Sequence, residues 1–226
     1  MKESSKTNQV RSEEFFNTYL KGKVIDIGGG SDTVTENAEV FDLEHGDAQH
    51  ILKYKDKESY DCVYSSHCLE HMKDVPLALS KWWQLLKPEG YMIIVVPHED
   101  LYEQKIWPPI FAKDHLTTFR LQTEKSWSPV SYDIFDLTQN LPNSSIISAE
   151  VQDLNYDYSL LGKRLGRGAR KIYKWRRNNK IKRFISESIY DFLHDNYWVK
   201  SNNKSGIPID QTAWNALAQI QIVIKN

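Results

Sequence analysis

The sequence predicts an α/β fold, a mostly parallel sheet covered on both faces by helices and finished by an antiparallel C-terminal edge strand. Three observations lead there. Strand-like and helical runs alternate over residues 23–97. The strand runs are almost continuously apolar, as strands buried on both faces must be. The chain closes on "ALAQIQIVIKN" (216–226), where Ile220, Ile222 and Ile224 alternate with Gln221 and Val223 and suit a last strand beside the one before it.

In chain order, residues 11–22 read as a short amphipathic helix with Phe15, Phe16 and Leu20 apolar, ending at Gly22. "KVIDIG" (23–28), "AEVFDL" (38–43) and "YDCVYSS" (60–66) read as the first three strands. "PLALSKWWQLLKPEG" (76–90) reads as a helix whose apolar side holds Leu77, Leu79, Trp82, Trp83, Leu85 and Leu86, with Lys87-Pro88-Glu89-Gly90 as its stop. "YMIIVVP" (91–97) is the most hydrophobic strand, ended by Pro97. Farther on, 128–141 predicts a helix, 144–154 a strand, and 160–200 a distinct insertion.

Composition narrows the class of protein without naming a partner. With 226 residues, 40% hydrophobic, 26% charged and a formal net charge of -1, the chain suits one well-cored domain with an appendage, not two independent ones. Cys62 and Cys68 form no paired-cysteine motif, which predicts a reducing compartment. "MKESSKTNQV" lacks the apolar core of a signal peptide, and no run approaches a membrane span, so a cytoplasmic location is expected. The seven histidines, at 45, 50, 67, 71, 98, 115 and 194, lack the paired spacing of a zinc site, and no metal is expected from spacing.

Chemistry concentrates in "KVIDIGGGSDTV" (23–34). Glycines after a strand let backbone approach a ligand. A dinucleotide fingerprint would need a third glycine where Thr33 stands and an acid later than Asp42, and no Gly-Lys-Ser/Thr follows for a nucleotide phosphate loop. Asp26 and Asp32 bracket the loop, a poor setting for phosphates. The loop therefore suits a ligand with a cationic end and no phosphate.

"VIDIGGGSD" resembles the first motif of class I S-adenosylmethionine-dependent methyltransferases, in which an acid precedes Gly-x-Gly. "VFDLEHGDA" resembles that family's second strand, and "YDCVYSSHCLEHMKDVPLALSKWWQLLKPEGYMIIVVP" its fourth strand, helix and fifth strand with a Leu-Glu-His signature at 69–71. The match spans roughly residues 22–100. It implies a Rossmann-like, seven-stranded sheet and one domain over 1–226: an N-terminal helix (1–22), a cofactor half (23–100) and an acceptor half (101–226).

The resemblance also implies roles. Asp26 would orient the loop or reach the cofactor's amino acid end through water, and Gly28 and Gly30 would admit its methionine part. Asp42 would hold both ribose hydroxyls, and Asp47 with Ala48 would meet adenine. Ser65, Ser66 and His67 would face the sulfonium, while His71 would hold its loop by hydrogen bonds. With so few residues between Gly30 and the second strand, the helix expected there must be stunted.

The acceptor is expected against "PHEDLYEQKIWPPIFAKDHLTTF" (97–119), whose Tyr102, Trp107, Phe111 and Phe119 stand among His98, Glu99, Asp100, Glu103, Asp114 and His115. Rings and carboxylates together suit a sugar. His115 is the first candidate for a general base and His98 the second. The arrangement, with the terminal "DQTAWNALAQIQIVIK", resembles a bacterial subgroup of these methyltransferases linked to cell-surface glycan synthesis, implying O-methylation of a sugar or glycan. Between Lys163 and Arg183 stand eleven Lys or Arg and no acid. That run suits a solvated helical arm, an anionic acceptor, or an anionic membrane surface on the cytoplasmic side. Nucleic acid is the rival partner, disfavoured by the acidic lining. An RNA or other small-molecule methyltransferase, or a silent protein of this fold, is the alternative reading.

Overall fold

A computed structural model describes residues 3–165 and 207–226. The basic run 163–183 falls outside them beyond Leu165, as does His194. Contacts divide the chain into two compact units, Met1–Tyr156 with Thr212–Asn226, and Asp157–Gln211.

The first unit is built on a sheet whose strands are β1 (Val24–Ile27), β2 (Glu39–Phe41), β3 (Tyr60–Ser66), β4 (Leu86–Pro97), β7 (Ser145–Gln152) and β10 (Gln219–Lys225). Their spatial order is β2-β1-β3-β4-β10-β7. The first four pair in parallel, while β10 runs antiparallel to both β4 and β7. The C-terminal strand thus sits inside the antiparallel arrangement and β7 takes the edge.

Among the described residues the sheet has six strands, not the expected seven. Residues 42–59, between β2 and β3, hold a loop and a 3-10 turn at Ala48–Lys53. A further parallel strand would need a crossover of roughly a dozen residues on either side of it, which this segment cannot supply. Residues 28–38 contain no helix at all, so β1 reaches β2 through turns.

Two apolar layers sandwich the sheet, one containing Ile25, Ile27, Val63, Ile94 and Ile222, the other Val24, Cys62, Tyr64, Ile93, Val95 and Val223. The period-two alternation along each strand sends successive side chains to opposite layers. Helix α1 (Glu3–Thr7) is short, and α2 (Glu13–Tyr19) is capped by Ser12, whose Oγ accepts the Phe15 N–H at 3.2 Å. Phe15, Phe16 and Tyr19 of α2 pack on the second layer.

Helix α3 (Val75–Trp83) starts where Asp74 accepts the Leu77 N–H at 3.0 Å, with a proline in its first turn. It buries Val75, Ala78, Leu79, Trp82 and Trp83 at i, i+3, i+4 spacing. Both indoles find partners, Trp82 Nε1 donating to Ala48 O at 2.9 Å and Trp83 Nε1 to Pro142 O at 3.1 Å. The helix ends seven residues before the expected stop at Gly90. Pro88 disfavours helical backbone at Lys87, and Leu86 pairs with Tyr60 as the start of β4.

The helix expected over 128–141 is shorter for a similar reason. Pro129 and the β-formers around it yield β6 (Ser131–Asp133), paired in parallel with β5 (Thr118–Arg120). Asp133 then caps α4 (Ile134–Gln139) through the Phe135 N–H at 3.0 Å. In the second unit, β8 (Arg164–Leu165) pairs antiparallel with β9 (Ile207–Pro208). There Gln211 joins its side-chain oxygen and nitrogen to Asp157 N and O, at 2.8 and 3.0 Å. No helix among the described residues is long and apolar enough to cross a membrane.

Candidate functional site

Four segments end at the carboxyl side of the parallel strands, where open α/β sheets bind ligands: the glycine loop after β1, Asp42 after β2, Ser66–His71 after β3, and the loop after β4. The loop is held from within. Gly28 N–H donates to Phe41 O at 2.8 Å, and Gly28 and Gly30 have φ of +84° and +54°. A Cβ at Gly28 would lie 2.6 Å from Cys68 Cβ, and one at Gly29 would lie 2.5 Å from Asp26 Cγ. The first requirement for glycine here is therefore the protein's own packing, before any ligand.

Asp26 lies fully buried beneath that loop. Its Oδ2 accepts the Val34 N–H at 2.7 Å, while Oδ1 is buried without a hydrogen bond. Burial pushes its carboxyl up from 3.8 to about 7; the Val34 N–H and the Arg11 cation oppose this, and Asp32 and Asp42 add to it. A buried acceptor with nothing to bind suits a cationic ligand group. Ser66 Oγ, at the end of β3, is likewise buried and without a hydrogen bond.

The other expected cofactor residues are distributed unevenly. Asp42 stands partly exposed across from the loop, its Oδ2 placed 3.2 Å from where a Gly30 Cβ would be, and its Oδ1 accepts the Leu43 N–H at 2.7 Å. Asp47 is exposed, and its Oδ1 caps the 3-10 turn through Gln49 N–H at 2.9 Å; Ala48 begins that turn. Ser65 donates its hydroxyl to Ile27 O at 3.0 Å, so that group is engaged within the sheet. His67, at φ +52°, joins Gln219 Oε1 through Nε2 at 3.0 Å. Burial alone would lower its pKa, but Glu70, and after it Glu3 and Gln219, raise it to about 9.

The N-terminal segment adds contacts that the motifs did not announce. Ser5 donates its N–H and its hydroxyl to Asp32, Asn8 donates to Val34 O at 3.0 Å, and Thr7 Oγ1 receives Gln219 Nε2 at 2.8 Å. Gln219 also donates to Gln152 Oε1 at 2.8 Å. One visible signal existed, two glutamines at 219 and 221 in an otherwise apolar final strand.

On the acceptor side, the structure sorts the expected aromatic and acidic wall. Phe119 is fully buried in the core and belongs to no wall. Glu99 is buried and its Oε2 accepts from Thr118, Ser126 and Ser131, a structural knot. Tyr102 stacks on His115 at 5.4 Å between centroids and meets Phe111 edge-on at 6.0 Å. Asp100 accepts the Trp127 Nε1–H at 3.0 Å.

The two histidines differ in a way that matters for chemistry. His98 Nδ1 accepts the Asp100 N–H at 3.0 Å, so its hydrogen sits on Nε2 and the neutral ring has no lone pair to offer there. Burial also holds His98 below its ordinary value. His115 instead donates Nδ1–H to Glu103 Oε1 at 2.7 Å, which leaves the lone pair on Nε2. That nitrogen lies 3.8 Å from Glu70 Oε1. Sequence spacing offered no metal-ligating set, yet the fold brings Glu70, His71 and His115 together, with one ligand atom of each within 4.8 Å of the others.

A family model described as a methyltransferase domain matches residues 9–128. Several solved structures are similar to the chain at low identity. A SAM-dependent methyltransferase from Archaeoglobus fulgidus is 15% identical, covering 98% of this chain and 93% of that one, with a TM-score of 0.49. A possible histamine N-methyltransferase from Thermotoga maritima is 13% identical over 98% and 86% of the chains, with a TM-score of 0.46. Phosphoethanolamine N-methyltransferase 2 from Haemonchus contortus, in complex with S-adenosyl-L-methionine, is 13% identical over 97% and 52%, with a TM-score of 0.48. No curated protein matches the sequence. With more than half the chain covered by the family model, the chain belongs to the methyltransferase domain family.

Proposed function

We propose that the protein methylates a hydroxyl group of a sugar or glycan. The observation that carries this reading is the pairing of His115 with Glu103 beneath Tyr102, on the loop that follows β4. A hydroxyl acceptor needs its oxygen activated as the methyl arrives, and alignment supplies most of the rest. His115 presents the Nε2 lone pair for that activation, held in its tautomer by Glu103. Tyr102 and Phe111 offer ring faces on which a pyranose C–H face stacks, and Asp114 offers an exposed carboxylate for its hydroxyls. Of the two histidines, His115 is the one we assign to the acceptor.

At the other side of the site, Asp26 Oδ1 suits the α-ammonium of the donor, and Asp42 its ribose hydroxyls. Ser66 and His67 would border the sulfonium. The donor supplies an electrophilic methyl on a positively charged sulfur; the chain's residues orient it and exclude water. The basic run 163–183 suits an anionic, diphosphate-linked form of the acceptor or the anionic surface that carries it.

The test is to incubate the purified chain with methyl-labelled donor and pooled bacterial extract, then fractionate the product. Label in sugar nucleotides or glycans is the expected result. Label confined to RNA, protein or amines would overturn the acceptor assignment.

A further inference from the structure

We infer that Glu70, His71 and His115 form a binding site for a divalent first-row transition-metal ion. Two imidazoles and one carboxylate are the donor set that such ions take while keeping positions open for water or substrate oxygens, and it is poorly suited to calcium or magnesium.

Four features of the cluster point to a cation and not only to a hydrogen-bonded knot. The ligand atoms already lie within 4.8 Å of one another, a short side-chain adjustment from the roughly 3 Å separations that metal bonds of about 2.0–2.2 Å impose. Glu70 is fully buried, and both its oxygens lack a hydrogen bond. His67 Nδ1 faces Oε1 as an ion pair at 3.4 Å, without hydrogen-bond geometry, so both carboxylate oxygens keep lone pairs to offer a cation.

Both histidines are prepared as ligands by their second nitrogen. His71 Nδ1 lies 3.1 Å from the Asp114 carbonyl, which can only accept, so the hydrogen is on Nδ1 and the lone pair on Nε2. His115 is set the same way by Glu103. An imidazole that gives one N–H to a carbonyl or carboxylate and keeps the other nitrogen bare is the arrangement that surrounds metal-bound histidines.

The backbone also holds the two halves of the cluster together. Leu116 N–H donates to Glu70 O at 2.8 Å, which with the His71 contact fastens the 69–71 turn to residues 114–116. His71 is partly exposed and offers the way in, while Glu70 and His115 are buried. Cys68 packs against Gly28, so the site lies beside the donor loop. On the hydroxyl-methylation reading proposed above, the ion would hold the acceptor oxygen and lower its pKa so that its proton leaves to water, with His115 Nε2 ligating the ion in place of taking that proton.

Cobalt(II) is the probe. The full chain is stripped with chelator, dialysed and titrated with Co2+ while visible d–d absorption is followed. One equivalent should saturate the signal, and Zn2+ should displace it. His115→Ala and Glu70→Gln should abolish it, and His71→Ala should weaken binding by more than about tenfold. Thermal melting and S-adenosylhomocysteine binding report whether each variant is folded; should Glu70→Gln fail to fold, the partly exposed His71→Ala decides. Absence of a band at millimolar Co2+, or a band that survives both histidine substitutions, would overturn the inference. Neither outcome depends on methyl transfer, because the donor site is read separately by S-adenosylhomocysteine.

Discussion

Moving from pH 8 to pH 6 should weaken binding of S-adenosylhomocysteine about tenfold, because Asp26 must be ionised to pair with the ligand's α-ammonium. Its carboxyl sits at about 7 in the ligand-free protein, raised chiefly by burial. At pH 6 roughly one molecule in ten then carries the charge, which corresponds to about 1.4 kcal/mol of binding free energy. The same shift acts in reverse on the ligand-free fold. Unfolded Asp26 titrates near 3.8 and folded Asp26 near 7, so the folded chain holds the extra proton between them. Stability from this group is greatest below about pH 4 and falls as pH rises toward 7, by up to about 4 kcal/mol. Calorimetric titration in two buffers of different ionisation heat would count the proton released on binding near pH 6. Asp26→Asn should flatten both profiles. An affinity that is level from pH 6 to 8, with no proton released, would show that the ammonium does not meet Asp26.

Three further outcomes follow from the geometry. Asp42→Ala should weaken S-adenosylhomocysteine binding by about 2 kcal/mol through loss of charge-assisted hydrogen bonds, and an unchanged calorimetric affinity would remove Asp42 from the ribose. Gly28→Ala should lower stability by about 1–3 kcal/mol in urea unfolding, since alanine at φ +84° is strained and its methyl would meet Cys68. Ile222→Ala, in the strand between β4 and β7, should cost about 2–5 kcal/mol by leaving a cavity in the first apolar layer; a wild-type midpoint would contradict the register assigned to β10.

The fold was legible wherever pattern and length agreed. β1, β3 and β4 are buried, mainly apolar runs ended by turn residues, and the glycine loop carries its own punctuation. Where pattern and local chemistry competed, pattern misled. Leu85 and Leu86 continue the apolar stripe of α3, but Pro88 and the pairing with Tyr60 claim Leu86 for the sheet and leave Leu85 in the turn before it. Ser131–Asp133 fits a helical stripe yet pairs as a strand beside Thr118–Arg120.

The strand ends expected to meet the donor were legible because their residues follow one another in the sequence. The histidine–carboxylate cluster was not. Glu70 and His71 are separated from Glu103 and His115 by a whole helix and strand, so spacing alone cannot announce them. Gln219 reaches the site from the end of the chain, and only its polarity within an apolar strand marked it.

The placement of β10 bears on how the chain comes to fold. β4 carries an unbroken apolar stretch from Met92 to Val96, and the edge that β3 leaves open is covered, among the described residues, by Gln219–Lys225. Residues 98–218 are synthesised before that cover exists. During that interval the nascent chain offers a long, flat, hydrophobic edge to other chains, the kind of surface on which strands pair wrongly. The pairing also closes over a large sequence separation, which slows it. The four parallel strands that hold the glycine loop are thus not a self-sufficient module, and shortening the chain before β10 would return β4 to that sticky state even though the motifs of residues 22–100 remained intact.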